Sequence, residues 1–165
     1  MPSPYVNISR TIKVGAAWTG TAPGPAVVTP AGTITTPSDI SAFVVGGAEP
    51  GWDLDQVDFT NFASLGYKSI LMGLIQGKDI VLDALSDQAA SQLRAIVITT
   101  LGGPAGRAVV YIDITPTSAA RSATNPSFVA KTFIKTWQSF TGSVGDKAAA
   151  SLVLAIDGTF IDLTA

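Results

Sequence analysis

The chain has no cysteine and no histidine among its 165 residues. Without cysteine there are no disulfides, no thiolate nucleophiles and no thiolate metal sites. Without histidine there are no Ser–His or Cys–His nucleophile pairs and no His-ligated zinc, which removes a large share of hydrolase mechanisms. Charge is scarce as well. Only 13% of residues are charged, where about a quarter is usual for a soluble domain, so some of the surface is expected to be covered by other protein. The net charge of −2 gives no basic face for nucleic acid or for an anionic membrane. No apolar run approaches the roughly 20 residues that span a bilayer, and MPSPYVNISR lacks the basic-then-apolar order of a signal peptide. The expectation is a soluble protein of intracellular origin with no membrane anchor.

What is present is strand pattern. The length suits a single domain over 1–165. In PYVNISRTIKV (4–14), Val6, Ile8, Ile12 and Val14 alternate with polar residues as in a strand. Residues 15–37 are rich in Gly, Pro, Thr and Ala and read as extended loop or edge-strand material, so 1–37 forms an N-terminal strand followed by an extended region. Strands are further expected at 40–48, 78–85, 107–116, 128–140 and 148–156, the last two as a hairpin around TGSVGDK. One helix is expected from Ser86 or Asp87 to the Gly102 stop. On it Ala89, Leu93, Ile96, Val97, Thr100 and Leu101 share a face, although the β-branched run Ile96–Thr100 disfavours α-helix. One helix among many strands makes a mainly-β domain, a sandwich or barrel with a flanking α-helix and long extended loops.

No motif offers catalytic chemistry. Asp53, Asp55 and Asp58 in DLDQVD look like the start of a calcium loop. Such a loop then requires Gly at its sixth position and Glu at its twelfth, where this chain has Asp58 and Ser64. GGPAGR (102–107) lacks the Lys-Ser/Thr of a phosphate loop and leads into a strand, so it reads as a helix stop and a turn. Trp18, Trp52 and Trp137 could line a sugar-binding face, but their spacing favours core or interface anchoring. The acids are mostly Asp in turn-like contexts and form no acid/base couple. We expect no enzyme activity, no cofactor and no metal.

The segment 43–74 stands out. It gathers Phe43, Val45, Trp52, Phe62 and Tyr67, too many apolar groups for a solvated connection, while Gly46, Gly47, Pro50 and Gly51 argue against regular structure in part of it. From Asp39 to Asp58 there are five acids and no base, and Lys68 is the nearest Lys or Arg that follows. We read 43–74 as an assembly loop, with 46–56 dispensable for folding. Its interface residues would be Phe43, Val45, Trp52, Asp53, Asp55, Asp58, Phe62, Tyr67 and Lys68, their charge matched on a neighbouring subunit.

The series DIS (39–41), DFTNFASLGYKSILMGL (58–74), KDIVLD (78–83), a helix and a hairpin ending SLVLAIDG resembles the major tail tube proteins of long-tailed, siphovirus-type bacteriophages. The matching positions are Asp58, Thr60, Gly66, Tyr67, Lys68, Gly73 and Leu74. The resemblance implies a virion structural protein, made in the host cytoplasm, that assembles into hexameric rings. Each subunit would give four strands to an inner β-barrel, and the rings would stack into the tube that delivers double-stranded DNA. It also implies a tape measure protein and tail terminator and initiator proteins as partners. Six sets of four strands, spaced about 4.8 Å and tilted about 40°, close at a radius near 24 Å, wide enough for a duplex. Such a lining should be neutral to acidic so that it does not hold DNA. Two alternatives remain: the inner tube of a contractile injection system carrying protein, and a virion-surface sugar-binding β-sandwich.

Overall fold

The computed structural model describes residues 10–24, 30–58, 70–85, 93–102, 109–141, 149–158 and 161–163. One eight-stranded antiparallel sheet dominates them. It contains β1 (Thr11–Gly15), β4 (Ser38–Asp39), β5 (Val44–Gly47), β8 (Ile80–Leu85), β9 (Val109–Thr115), β10 (Ser127–Thr141), β11 (Ala149–Ile156) and β12 (Ile161–Leu163). The strand order is β4-β1-β9-β10-β11-β8-β5, with β12 added beside β10.

The two ends of that order, β4 and β5, are separated in sequence by only residues 40–43. A flat sheet of seven strands cannot bring its edges that close, so the sheet curls into an open barrel. The seam is held by hydrogen bonds. The Ile40 amide donates to Ile12 O at 2.9 Å and the Phe43 amide to Ile40 O at 3.0 Å, while Arg10 Nη1 donates to Gly47 O and Ala48 O at 2.7 and 3.1 Å. At the seam Gly47 has φ 77°, and a Cβ there would lie 2.0 Å from Val81 O, so only glycine fits.

Period-2 alternation explains which side of the sheet is inside. Along β9 every second residue, Val110, Ile112 and Ile114, is buried, and Leu82, Leu152 and Leu154 do the same on β8 and β11. The expected strands at 78–85, 107–116, 128–140 and 148–156 therefore appear within a few residues of their positions. Val6 and Ile8 of the first expected strand lie outside the described residues; Ile12 and Val14 are buried in β1 as the pattern requires.

Within 15–37, read as extended loop or edge-strand material, β2 (Trp18–Thr21) and β3 (Ala31–Ile34) form a separate hairpin ribbon. It lies over the outside of β1 and β9, with Trp18 5.6 Å from the Tyr111 ring. Two expectations need correction. The strand placed at 40–48 begins only at Val44, because Ser41–Phe43 make a turn into which Asp39 caps the Ser41 amide. The described part of the expected α-helix is mostly not α. Leu93–Ala95 is one α-turn (α1), and Ile96–Thr100 winds on as a π-helix, closed by the Leu101 amide donating to Ile96 O at 3.0 Å. The β-branched run that disfavours α-helix occupies those wider turns. The expected facing is nonetheless observed for Leu93, Val97 and Leu101, which are buried in the core cluster, with Arg94 exposed. Ala89 lies outside the described residues.

Candidate assembly surfaces

The segment 43–74 is largely strand where it is described, which corrects its reading as an irregular loop. After β5, the break expected from glycine and proline is confined to Ala48–Gly51. The chain then runs out along β6 (Trp52–Asp58) and back along β7 (Ile70–Gly77). Among the described residues these two strands pair only with each other, as an antiparallel arm outside the main sheet. Composition hid β6 because Trp52, Asp53, Asp55 and Gln56 are exposed, so no buried partner forces apolar residues into every second position there.

The arm is rooted tightly. The Lys78 amide donates to Gly51 O at 3.0 Å and the Gly77 amide to Gly158 O at 2.8 Å. A Cβ at Gly77 would lie 2.6 Å from Ile156 Cγ2, so the glycine lets the arm leave the barrel flush against β11. Register then sorts its side chains. Trp52 pairs with Gly77 and Leu54 with Ile75, which puts Trp52, Leu54 and Ile75 on one face, while Asp53 pairs with Gln76 on the other. Trp52 is 56% exposed, Ile75 60% and Leu74 80%. A two-stranded ribbon is marginal in water, and this one offers large apolar side chains with nothing over them among the described residues.

The second open surface is the outside of β5, β8, β11 and β10. The β2–β3 ribbon lies over the neighbouring β1–β9 side and leaves these four adjacent strands bare among the described residues. Their outward residues are small or neutral for the most part. Val153 stands between Val81 and Thr136, Ser151 between Asp83 and Gln138, and Ala155 opposite Phe133. Val45, the extra residue of a bulge between Val44 and Gly46, also points outward and is exposed.

Of the interface residues read from sequence, Trp52, Asp53 and Asp55 are exposed on the arm, and Asp58 is in β6. Val45 is exposed at the β5 edge. Phe43 is packed against the core, so part of its surface is used within the chain. Phe62, Tyr67 and Lys68 lie outside the described residues. Leu54, Leu74 and Ile75 were missed; the apolar run ILMGLI beyond the glycine step could have found the last two, whereas Leu54 stands between two acids with no such signal. The tryptophans are not gathered on one face. Trp18 is in the ribbon, with Nε1 donating to Ala31 O at 3.1 Å, Trp137 packs on the core, and Trp52 is on the arm.

Asp53 and Asp55 sit in a strand, not in a ligating loop, and no group of three or more possible metal ligands occurs among the described residues. Thermal unfolding with and without millimolar calcium is expected to superimpose. A rise of several degrees in the midpoint would reveal a native-state site.

No family model and no curated protein matches the chain in sequence. Solved structures do match in fold. A chain of the anti-feeding prophage (AFP) baseplate, determined by cryo-electron microscopy with six-fold symmetrisation, aligns with TM-score 0.63 at 11% identity, covering 99% of this chain and 98% of that one. The tail of an empty gene transfer agent (GTA) particle, computed with helical refinement in C6 symmetry, aligns at 0.54 with 17% identity over 78% of this chain and 87% of that one. The virion of the native GTA particle gives 0.53 and 17% over 78% and 89%. This chain shares their mainly-β fold.

Proposed function

We propose that this chain is a structural subunit of a phage-tail-type particle. It associates with itself into hexameric rings that stack into a tube for double-stranded DNA, as in siphovirus-type tails, and it acts without catalysis. The observation that carries the reading is the pairing of two open surfaces on one small domain. Four adjacent strands, β5-β8-β11-β10, have a bare outer side, the number that an inner barrel requires of each subunit. An apolar-faced arm leaves the same sheet at the β7–β8 junction, placed to reach a neighbouring copy. Two unlike surfaces on one chain make head-to-tail contacts, which close into rings or continue as helical stacks. The six-fold and helical symmetry of the particles that share the fold supports this arrangement. Tape measure, terminator and initiator proteins would be its partners at the ends and inside of the tube.

A second reading has one observation in its favour. The neighbour that covers 99% of this chain comes from a baseplate, which suits an inner tube protein of a contractile injection system with protein cargo. Negative-stain electron microscopy of concentrated purified protein tests both. Six-fold rings or tubes are expected, and a monodisperse monomer or trimer with neither would overturn the tube. Native particles recovered from producing cells then separate the cargoes, since a DNA-delivering particle carries packaged, nuclease-resistant duplex and a protein-delivering one carries none.

A further inference from the structure

Among the described residues the bare outer side of β5-β8-β11-β10 carries two lysines, and neither is free. Lys131 Nζ donates to Asp157 Oδ2 at 2.6 Å and stands 5.6 Å from the centroid of the Phe133 ring. The carboxylate and the π-face together hold it in place. Lys135 sits at the β10 bulge between Ile134 and Thr136, which turns both Lys135 and Thr136 outward. From there its ammonium reaches across β11 to the carboxylate of Asp79, the residue just before β8. Small residues on the strand between, Val153 and Ala155, leave the path open. Asp83 remains on this face with no ion-pair partner among the described residues.

We infer that Asp79 and Asp157 are electrostatic silencers: they cancel the two lysines of the tube wall so that a passing polyanion, duplex DNA, finds no cation to bind. This rests on the reading of the four-strand surface as the inner wall. Affinity for duplex DNA comes mainly from lysine or arginine at phosphate, with release of counterions, and each such contact steepens the salt dependence of binding. Two lysines per subunit would place about twelve cations on a six-fold ring, repeated at every ring, which is enough to stall a duplex in transit. Lys131–Asp157 is half-buried, whereas Lys135–Asp79 is exposed, with Lys135 57% exposed at the side chain and Asp79 35%, and stabilises the fold little. The position of this second pair on the wall has a use that its stability does not supply.

The test assembles full-length protein in the presence of short linear duplex DNA, then digests with nuclease and measures protected DNA per tube. Parent tubes are expected to protect little after washing. Asp79→Asn combined with Asp157→Asn should raise protected DNA at least tenfold at low salt, and raised salt should release it. Adding Lys131→Gln and Lys135→Gln should return retention to the parental level. Thr99→Lys with Ala119→Lys, at exposed sites away from this face, makes the same change in net charge and should not increase protection. Tubes of the double Asp variant that hold no more DNA than the parent would overturn silencing and leave the tube standing. Equal retention by the Thr99/Ala119 control would overturn it too, since net charge alone would then suffice. If the double variant does not assemble, the single Asp variants decide, and retention by neither is a negative result for the inference. A parent that forms no rings or tubes removes the inner wall itself, and the inference falls with it.

Discussion

Excision of residues 52–77, with Gly51 joined to Lys78 through an Asn-Gly turn, is expected to leave a folded, soluble barrel that forms no stacked tubes. The cut suits the geometry because the Lys78 amide and Gly51 O are already 3.0 Å apart, the closing distance of a tight turn. Among the described residues it costs the barrel one main-chain hydrogen bond to Gly158 and the contact with Ile156. What it removes from assembly is larger. Each apolar side chain moved from water into an interface is worth roughly 1.5–3 kcal/mol, and Trp52, Leu54, Leu74 and Ile75 leave together. The arms of one ring act jointly, so a modest loss per arm multiplies into loss of the stack. Circular dichroism should show cooperative thermal unfolding with a midpoint within several degrees of the parent, and electron microscopy should show no tubes. Trp52→Ser and Ile75→Ser should weaken assembly by degrees. Tubes at the parental protein concentration would mean that the arm is not the joint, and loss of cooperative unfolding would mean that it belongs to the fold.

A cut at 46–56, which composition alone suggests, is a different experiment. It would remove Gly46 and Gly47 from the seam strand and the buried Ala48, and would leave β7 without its partner. The difference shows where sequence runs out. Strands with one face in the core were legible: Val110, Ile112 and Ile114 announce β9 because burial demands an apolar residue at every second position. None of Trp52–Gln56 is buried, so the acids and glycines of the region read as loop, although its excess of apolar groups was visible and pointed to a covered surface. The β2–β3 ribbon was half legible, as edge material. The pairs Lys131–Asp157 and Lys135–Asp79 could not be found in advance. Their partners are 26 and 56 residues apart, and only the strand order brings them together. Of the segment 58–74, which carries the resemblance to tail tube proteins, 59–69 lies outside the described residues.

Leu93→Asp is expected to unfold the subunit, and Arg94→Asp to be nearly silent. The two positions are adjacent, so helix propensity, chain length and expression context are shared, and only the direction of the side chain differs. Leu93 is buried with Val97 and Leu101 against Ile12, Leu82, Val110 and other strand residues of the core cluster. Among the described residues no charged side chain is buried. A carboxylate there would lose hydration with nothing to pair with, and the substitution also removes the packing of a leucine. Together these cost on the order of 4 kcal/mol or more, against a total stability of roughly 5–15 kcal/mol for a domain. Arg94 is exposed and makes no ion pair among the described residues, so reversing its charge should shift stability by no more than about 0.5 kcal/mol. Urea unfolding followed by tryptophan fluorescence reads both, because Trp137 packs on the same core. The Leu93 variant should have no folded baseline or a midpoint lower by more than 1 M, and the Arg94 variant should overlay the parent. Leu93→Met, which conserves volume and apolarity, should cost less than about 1.5 kcal/mol. If Leu93→Asp and Arg94→Asp unfold at the same urea concentration, the turn from Leu93 to Leu101 does not pack on the barrel as described, and the core must close without it.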